Sequence, residues 1–211
     1  MIEIQNNTEY HFGFLDESTI EKDPFLLFEK WFIEARTFQV LIPEAFVLST
    51  IQENNSPNAR VLLMKRFDRS GILFCTHLDS VKAQEINYEP FAHCLFFWPQ
   101  MERQIRIYGF VKEIDDDNKD AQWNNRNNMH KIASLSSPQS DIIPNRHYLD
   151  DAYKNIEIQY QNIEIPRPQN WGGYILKPYN FEFWQGRANR LNDRIKFTEE
   201  KGKWSMVRLA P

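Results

Sequence analysis

Apolar positions along the chain alternate between two periods, and the changes of period mark out its elements. Residues 1–22 are polar and aperiodic and predict an arm that orders only against something else. Asp23-Pro24 is a helix start signal, and Leu26, Leu27, Phe28, Trp31, Phe32 and Ala35 follow at helical spacing, predicting a helix to about Thr37. From Ala45 the period becomes two. Ala45–Ile51, Arg60–Phe67 and Ile72–Thr76 read as strands separated by turns at Asn54–Pro57 and Asp68–Gly71. A short helix over Ser80–Tyr88, capped by Asp79 or Ser80, stops at Pro90. Phe91–Trp98 and Arg103–Ile114 are two further strands. Asp115–Leu135 is polar and compatible with one helix, acidic in its first turn, and Ser136–Ser140 breaks it. A second polar helix is predicted over Asp150–Gln161, with Ile165–Pro168 as a stiff connector. Trp171–Leu176, Asn180–Trp184 and a hairpin of Ile195–Phe197 with Trp204–Val207, turning at Glu200–Lys203, complete the chain. Short strands at this spacing predict an antiparallel barrel with helices packed around it, mainly β with α, in one domain over residues 23–211.

Composition narrows the classes. The 211 residues are 42% apolar and 14% aromatic, enough to bury a core, and a net charge of −4 argues against general binding to nucleic acid or an anionic membrane. No segment reaches the roughly 20 apolar residues of a membrane span, and no signal peptide is visible, which predicts a soluble, cytoplasmic protein. Cys75 and Cys94 lie in strand-like apolar runs and predict buried free thiols. The five histidines lack ligand spacing, so no metal is expected.

No Ser/His/Asp arrangement, Walker loop or G-x-G-x-x-G is present, so reactivity must come from a cofactor. The densest candidate is Phe181–Arg194, FEFWQGRANRLNDR, where Trp184 leads through Gly186 to Arg187, Arg190 and Arg194. Guanidinium groups beside an indole suit a flat ring bearing phosphate. The same residues also fit a solvated basic turn. Thr76-His77-Leu78-Asp79-Ser80-Val81-Lys82 runs from a strand into a helix N-terminus, where free amides and the dipole favour phosphate, or else simply form a capped surface helix. Arg60 and Lys65 stand at opposite ends of an apolar strand, and charges reaching water account for them equally well.

In order and spacing, R-x-x-x-x-K, T-x-x-x-S-x-K, E-R-Q, Q-S, W-Q-G-x-x-x-R-L-x-D-R and the terminal R-L-x-P resemble the pyridoxamine 5'-phosphate oxidases, from Tyr10 to Pro211. The resemblance implies an FMN-binding split barrel and a homodimer with FMN at the subunit interface, residues 171–211 forming the C-terminal dimerisation segment. It implies oxidation of pyridoxamine or pyridoxine 5'-phosphate to pyridoxal 5'-phosphate, with O2 as acceptor and hydrogen peroxide as product. FMN contacts would fall on Arg60, Val61, Lys65, Thr76, Ser80, Lys82, Gln104, Gln139, Ser140, Trp184 and Arg194. Substrate contacts would fall on Tyr10, Lys65, Gln122, Arg126, His130, Arg190 and Asn192, with Arg190 nearest the chemistry.

The chain departs from the family pattern in places. Val81 replaces a basic residue beside Lys82, Gln122 and His130 stand where the family has tyrosine and serine, and Asn192 replaces the histidine of R-L-H-D. Near Tyr10 the family's arginines are missing, with Asn7 and Thr8 before it and Asp16-Glu17-Ser18 after it. Two alternatives follow: a phenazine-type FMN oxidase acting on a phosphate-free heteroaromatic, and a non-catalytic flavin- or pyridoxal-phosphate-binding protein. Phenazine-type relatives tend to lose the lysine that Lys65 retains.

Overall fold

A computed structural model describes residues 9–211, so Asn7 and Thr8 lie outside the described residues. Helix α1 spans Pro24–Thr37, and its N-cap Asp23 accepts from the amide of Phe25 at 2.9 Å. Then follow β1 (Ala45–Ile51), β2 (Pro57–Leu63), β3 (Arg66–Asp68), β4 (Gly71–His77), α2 (Val81–Tyr88), β5 (Phe91–Trp98) and β6 (Arg103–Glu113). Three helices come next, α3 (Asp116–Asn124), α4 (Asn128–Ser136) and α5 (Arg146–Gln159), before β7 (Trp171–Gln185), β8 (Asp193–Glu200) and β9 (Lys203–Leu209).

The nine strands form one antiparallel sheet, with a path β2-β1-β5-β6-β7-β4-β3 and the β8-β9 hairpin attached to β7. The ends of the path, β2 and β3, are neighbours in sequence, so the sheet must curl until its ends meet. The expected single strand Arg60–Phe67 is broken there. Met64 donates its amide to Glu44 O and Lys65 to Leu73 O, passing the chain from one end of the path to the other. Strand β7 organises the rest. One of its edges pairs with β6 from Tyr174 to Gln185, and the other is divided between β4 at Trp171–Leu176 and β8 at Asn180–Gln185. Pro178 and the unpaired Tyr179 make a bulge between the two halves, which explains why the sequence reads as two strands. At the bulge the backbones nearly touch: a Cβ on Gly109 would lie 2.1 Å from Lys177 O.

Alternation fills the interior. Phe46, Leu48, Phe74, Phe96, Ile105, Ile107, Phe181 and Phe183 are fully buried, and α1 lays Phe28 and Trp31 across them, with Phe28 5.2 Å from Phe96 and Trp31 5.2 Å from Phe183. Each such burial contributes about 1.5–3 kcal/mol. A second cluster of Trp123, Ile132, Ile165 and Trp171 secures α3 and α4 to β7. The rings of Trp123 and Trp171 meet edge to face at 4.9 Å, and Trp123 Nε1 donates to Ile165 O at 2.8 Å. The predicted helix Asp115–Leu135 is two helices because Asn127 caps α4, its carbonyl accepting from His130 N at 2.8 Å. Helix α5 begins earlier than expected, capped by Asn145. Residues 9–22 lie along the body with Leu15 buried. No helix of the described residues is long and apolar enough to cross a membrane.

Candidate functional site

Strand β4 ends just before α2 begins, and the junction gathers a cluster of hydrogen-bonded polar groups. Lys82 is buried, and its Nζ donates to Thr76 Oγ1 at 3.0 Å and Gln139 Oε1 at 3.1 Å. Thr76 also donates to Gln139 Oε1 at 2.8 Å. Ser80 occupies the N-cap position but does not cap. Its hydroxyl turns back to His77 O at 2.7 Å, leaving the first amides of α2 without a side-chain cap beyond a 3.4 Å contact from Val81 N to Ser140 Oγ. An uncapped N-terminus beside a buried ammonium has the chemistry to receive an anion. Burial and the neighbouring Arg60 lower the Lys82 pKa, and Glu85 partly opposes them. The side chain of Val81 is exposed, so it offers this cradle only its backbone.

Cys75 marks a second cationic locus. Burial raises its thiol to about 11, against the opposing pull of the Lys65 and Arg126 charges. Arg126 sits at the α3–α4 junction with its guanidinium 5.2 Å from the centre of the Trp171 ring, donating to Ser134 Oγ at 3.1 Å. Its buried Nε has no partner, and burial lowers its pKa. Among the described residues neither Lys65 nor Arg126 forms an ion pair. Gln122 is half-buried on α3, while His130 is exposed and meets Arg126 only through its backbone carbonyl, at 3.3 Å.

The remaining candidates lie at the far end of β7. Gln104, Trp184 and Arg194 stand side by side in one row across β6, β7 and β8. Arg194 Nε donates to Glu182 Oε1 at 2.9 Å and its Nη1 to Ala210 O at 2.8 Å. The loop after Trp184 carries Asn189 and Arg190, both left-handed at φ 58° and 59°, a costly pairing for residues with side chains. Asn192 uses its carbonyl inside this loop, accepting from Arg187 N at 3.0 Å, so it shapes the loop rather than facing outward. Arg190 itself is exposed.

The arm seals this end. Glu9 accepts from Asn189 N at 2.7 Å, and Tyr10 packs edge-on to Trp184 over Gly186, where a Cβ would lie 2.6 Å from the tyrosine ring. Leu15 N donates to Asp193 at 3.0 Å, and Arg208 bridges Leu15 O, Glu17 and Asp193 at 2.7, 2.6 and 2.6 Å. Sequence reasoning missed Glu182, Ser134 and Glu85, partners of Arg194, Arg126 and Arg60, and Glu9, which holds the loop that carries Arg190. Each comes from a different element, and no local spacing announces them.

The structure thus gathers the candidates into two groups. Thr76, at the first, pairs with Gly172, whereas Trp184, at the second, lies twelve residues further along β7, or about 40 Å at about 3.3 Å per residue of straight strand. Val61 belongs with neither interior: it is exposed on the outer face, opposite Val47.

Residues 34–160 match the family model described as pyridoxamine 5'-phosphate oxidase, and residues 171–211 match the pyridoxine 5'-phosphate oxidase C-terminal dimerisation region. The chain is 40% identical over 203 residues to the pyridoxine/pyridoxamine 5'-phosphate oxidase of Christiangramia forsetii, covering 96% of this chain and 95% of that protein. It is 39% identical over 202 residues to the one from Synechocystis, covering 96% and 94%. Among solved structures, PhzG from Burkholderia lata in complex with tetrahydrophenazine-1-carboxylic acid superposes with a TM-score of 0.87 at 27% identity, over 92% of this chain and 95% of that one. A pyridoxamine 5'-phosphate oxidase-related, FMN-binding protein from Nostoc punctiforme shares the fold, with a TM-score of 0.71 at 18% identity over 90% and 98% of the two chains.

Proposed function

The chain belongs to the pyridoxamine 5'-phosphate oxidase family, and from that premise we propose that it is an FMN-dependent oxidase converting pyridoxamine or pyridoxine 5'-phosphate to pyridoxal 5'-phosphate, with O2 as acceptor. The observation that carries the reading is a pair of neighbouring anion sites: the Lys82 cradle, and Lys65 with Arg126, two cations without a carboxylate partner among the described residues. One suits the phosphate of a cofactor and the other that of a substrate. The residues present fit the phosphate end of FMN, since the buried ammonium has a third N–H beyond its bonds to Thr76 and Gln139 and the N-terminus of α2 has no side-chain cap. When bound, FMN supplies the two-electron chemistry that takes hydride from the substrate carbon and reduces O2 to hydrogen peroxide.

In this reading Lys65 and Arg126 bind the substrate phosphate, and the Trp171 ring fixes the guanidinium plane. Arg190, projected by its left-handed loop, orients the pyridine ring and steadies charge as the amine or alcohol carbon is oxidised. Tyr10 and the arm exclude water. The two groups of residues lie at opposite ends of β7, so a complete site needs Lys82, Lys65 and Arg126 from one chain with Gln104, Trp184, Arg190 and Arg194 from another. The matched dimerisation region supports a homodimer that supplies them.

Incubation of the FMN-loaded protein with pyridoxamine 5'-phosphate in air should yield pyridoxal 5'-phosphate and hydrogen peroxide, and unphosphorylated pyridoxamine should scarcely react. Equal turnover of the two amines would remove the role given to Lys65 and Arg126. Turnover of a phosphate-free heteroaromatic alone would favour a phenazine-type oxidase.

A further inference from the structure

The single acidic residue of α2, Glu85, is tied to the phosphate cradle without touching it. Glu85 is 5% exposed, and both its oxygens are filled: Oε1 accepts from Asn58 Nδ2 at 2.7 Å, and Oε2 from Thr50 Oγ1 at 2.6 Å and Arg60 Nη2 at 2.7 Å. Arg60 is fastened on its other branch as well, Nη1 donating to Thr50 Oγ1 at 2.5 Å and Leu48 O at 3.3 Å. Register explains the cluster, since Thr50 faces Asn58 and Leu48 faces Arg60 across β1 and β2, and α2 lays Glu85 over them. The Nε of Arg60 makes no hydrogen bond among the described residues. Both terminal nitrogens of the guanidinium are therefore held, and its Nε–H is left to meet a ligand.

The geometry points to Glu85 as a positioning residue for cofactor binding, holding the Arg60 guanidinium beside Lys82 so that both cations meet the FMN phosphate in a fixed arrangement. This rests on the FMN reading above. Two opposing effects follow from removing the carboxylate. The site loses a negative charge, which favours an anion, but the half-buried Arg60 loses the carboxylate that fixes its Nη2 and the buried Lys82 loses a nearby counter-charge. Burial raises the Glu85 carboxyl, yet the hydrogen bonds from Thr50 and Asn58 and the charge of Arg60 outweigh it and hold the group ionised. Without it, Arg60 keeps only its Nη1 contacts to Thr50 and Leu48, and nothing fixes the plane of its guanidinium toward the cradle. The net effect is weaker phosphate binding.

The test is a double-mutant cycle read by FMN affinity, in protein stripped of flavin and titrated with FMN while flavin fluorescence is followed. Glu85→Gln should raise the Kd by about tenfold or more in the wild-type background and by less than about twofold in an Arg60→Gln background, because its effect passes through Arg60. An unchanged or tighter Kd in Glu85→Gln, or an equal loss in both backgrounds, overturns the proposal. Should Glu85→Gln fail to fold, Asn58→Ala frees Oε1 without changing charge and is expected to weaken FMN by about threefold. Unchanged affinity there also overturns it. Wild-type protein that takes up no FMN would defeat the flavin reading itself, a result separate from these.

Discussion

Replacing Lys82 by methionine separates binding from stability, because the two should move in opposite directions. In the flavin-free protein the ammonium is buried and donates to Thr76 and Gln139, which are already bonded to each other at 2.8 Å. Methionine keeps the length of the chain, removes the buried charge and leaves no acceptor stranded. The melting temperature of the flavin-free variant should therefore equal or exceed that of the wild type. FMN affinity should fall by about 1.5–3 kcal/mol, the range for a hydrogen bond to a charged group, or roughly 10- to 150-fold in Kd. The pH dependence carries its own sign. A lysine whose pKa is lowered on folding binds fewer protons folded than unfolded, so flavin-free wild type should gain stability as pH rises through the lowered value toward the ordinary 10.5. Lys82→Met should lose that part of the slope. Thermal melts and flavin titrations across pH read both quantities. Lower stability with unchanged FMN affinity would show that Lys82 is a packing residue, and the cradle would have to be sought elsewhere.

Arg208→Gln should free the arm, which Arg208 holds through Leu15 O, Glu17 and Asp193. Limited proteolysis within residues 9–20 should accelerate and KM rise while FMN affinity stays constant, and unchanged cleavage would argue that other contacts hold the arm. The same latch is acid-sensitive: hydrogen bonds from Arg208 lower the Glu17 carboxyl to about 2, so its contribution is complete above about pH 4.5 and is lost as pH falls toward 2, when arm cleavage by an acid protease should rise. Arg190→Lys should reduce kcat more than it raises KM, since lysine keeps the charge but loses the planar fork. A change confined to KM would make Arg190 a simple binding group. Trp123→Ala should cost about 3–5 kcal/mol in urea denaturation by emptying the cluster against Trp171, and a loss below about 1 kcal/mol would mean that α3 and α4 are held by other contacts.

The sequence made the fold class and most strands legible because alternation and turn residues mark them locally. It misled where one residue had a non-local purpose. Pro178 reads as a break but sits in a bulge of one long strand, and Met64-Lys65 reads as strand interior but carries the chain across the closing sheet. Asn127 and Asn145 are ordinary polar residues until their carbonyls are seen to cap helices. The site shows the same contrast. Motif residues such as Thr76, Lys82, Gln139 and Trp184 are recognisable through the resemblance to the family, whereas Glu85, Glu182, Ser134 and Glu9 depend on register and on packing between distant elements. The division of the motif between the two ends of β7 could not be read from order along the chain.

That division makes subunit complementation the most direct measurement. Lys82→Ala and Arg194→Ala each damage one end of β7, and each variant alone should be nearly inactive. Unfolded together in equal amounts and refolded, they should form dimers of which half are mixed, each mixed dimer holding one site with Lys82 from one chain and Arg194 from the other. Oxidation of pyridoxamine 5'-phosphate should then recover to about a quarter of the wild-type rate. A mixture no more active than the sum of its parts would contradict a site built from two chains.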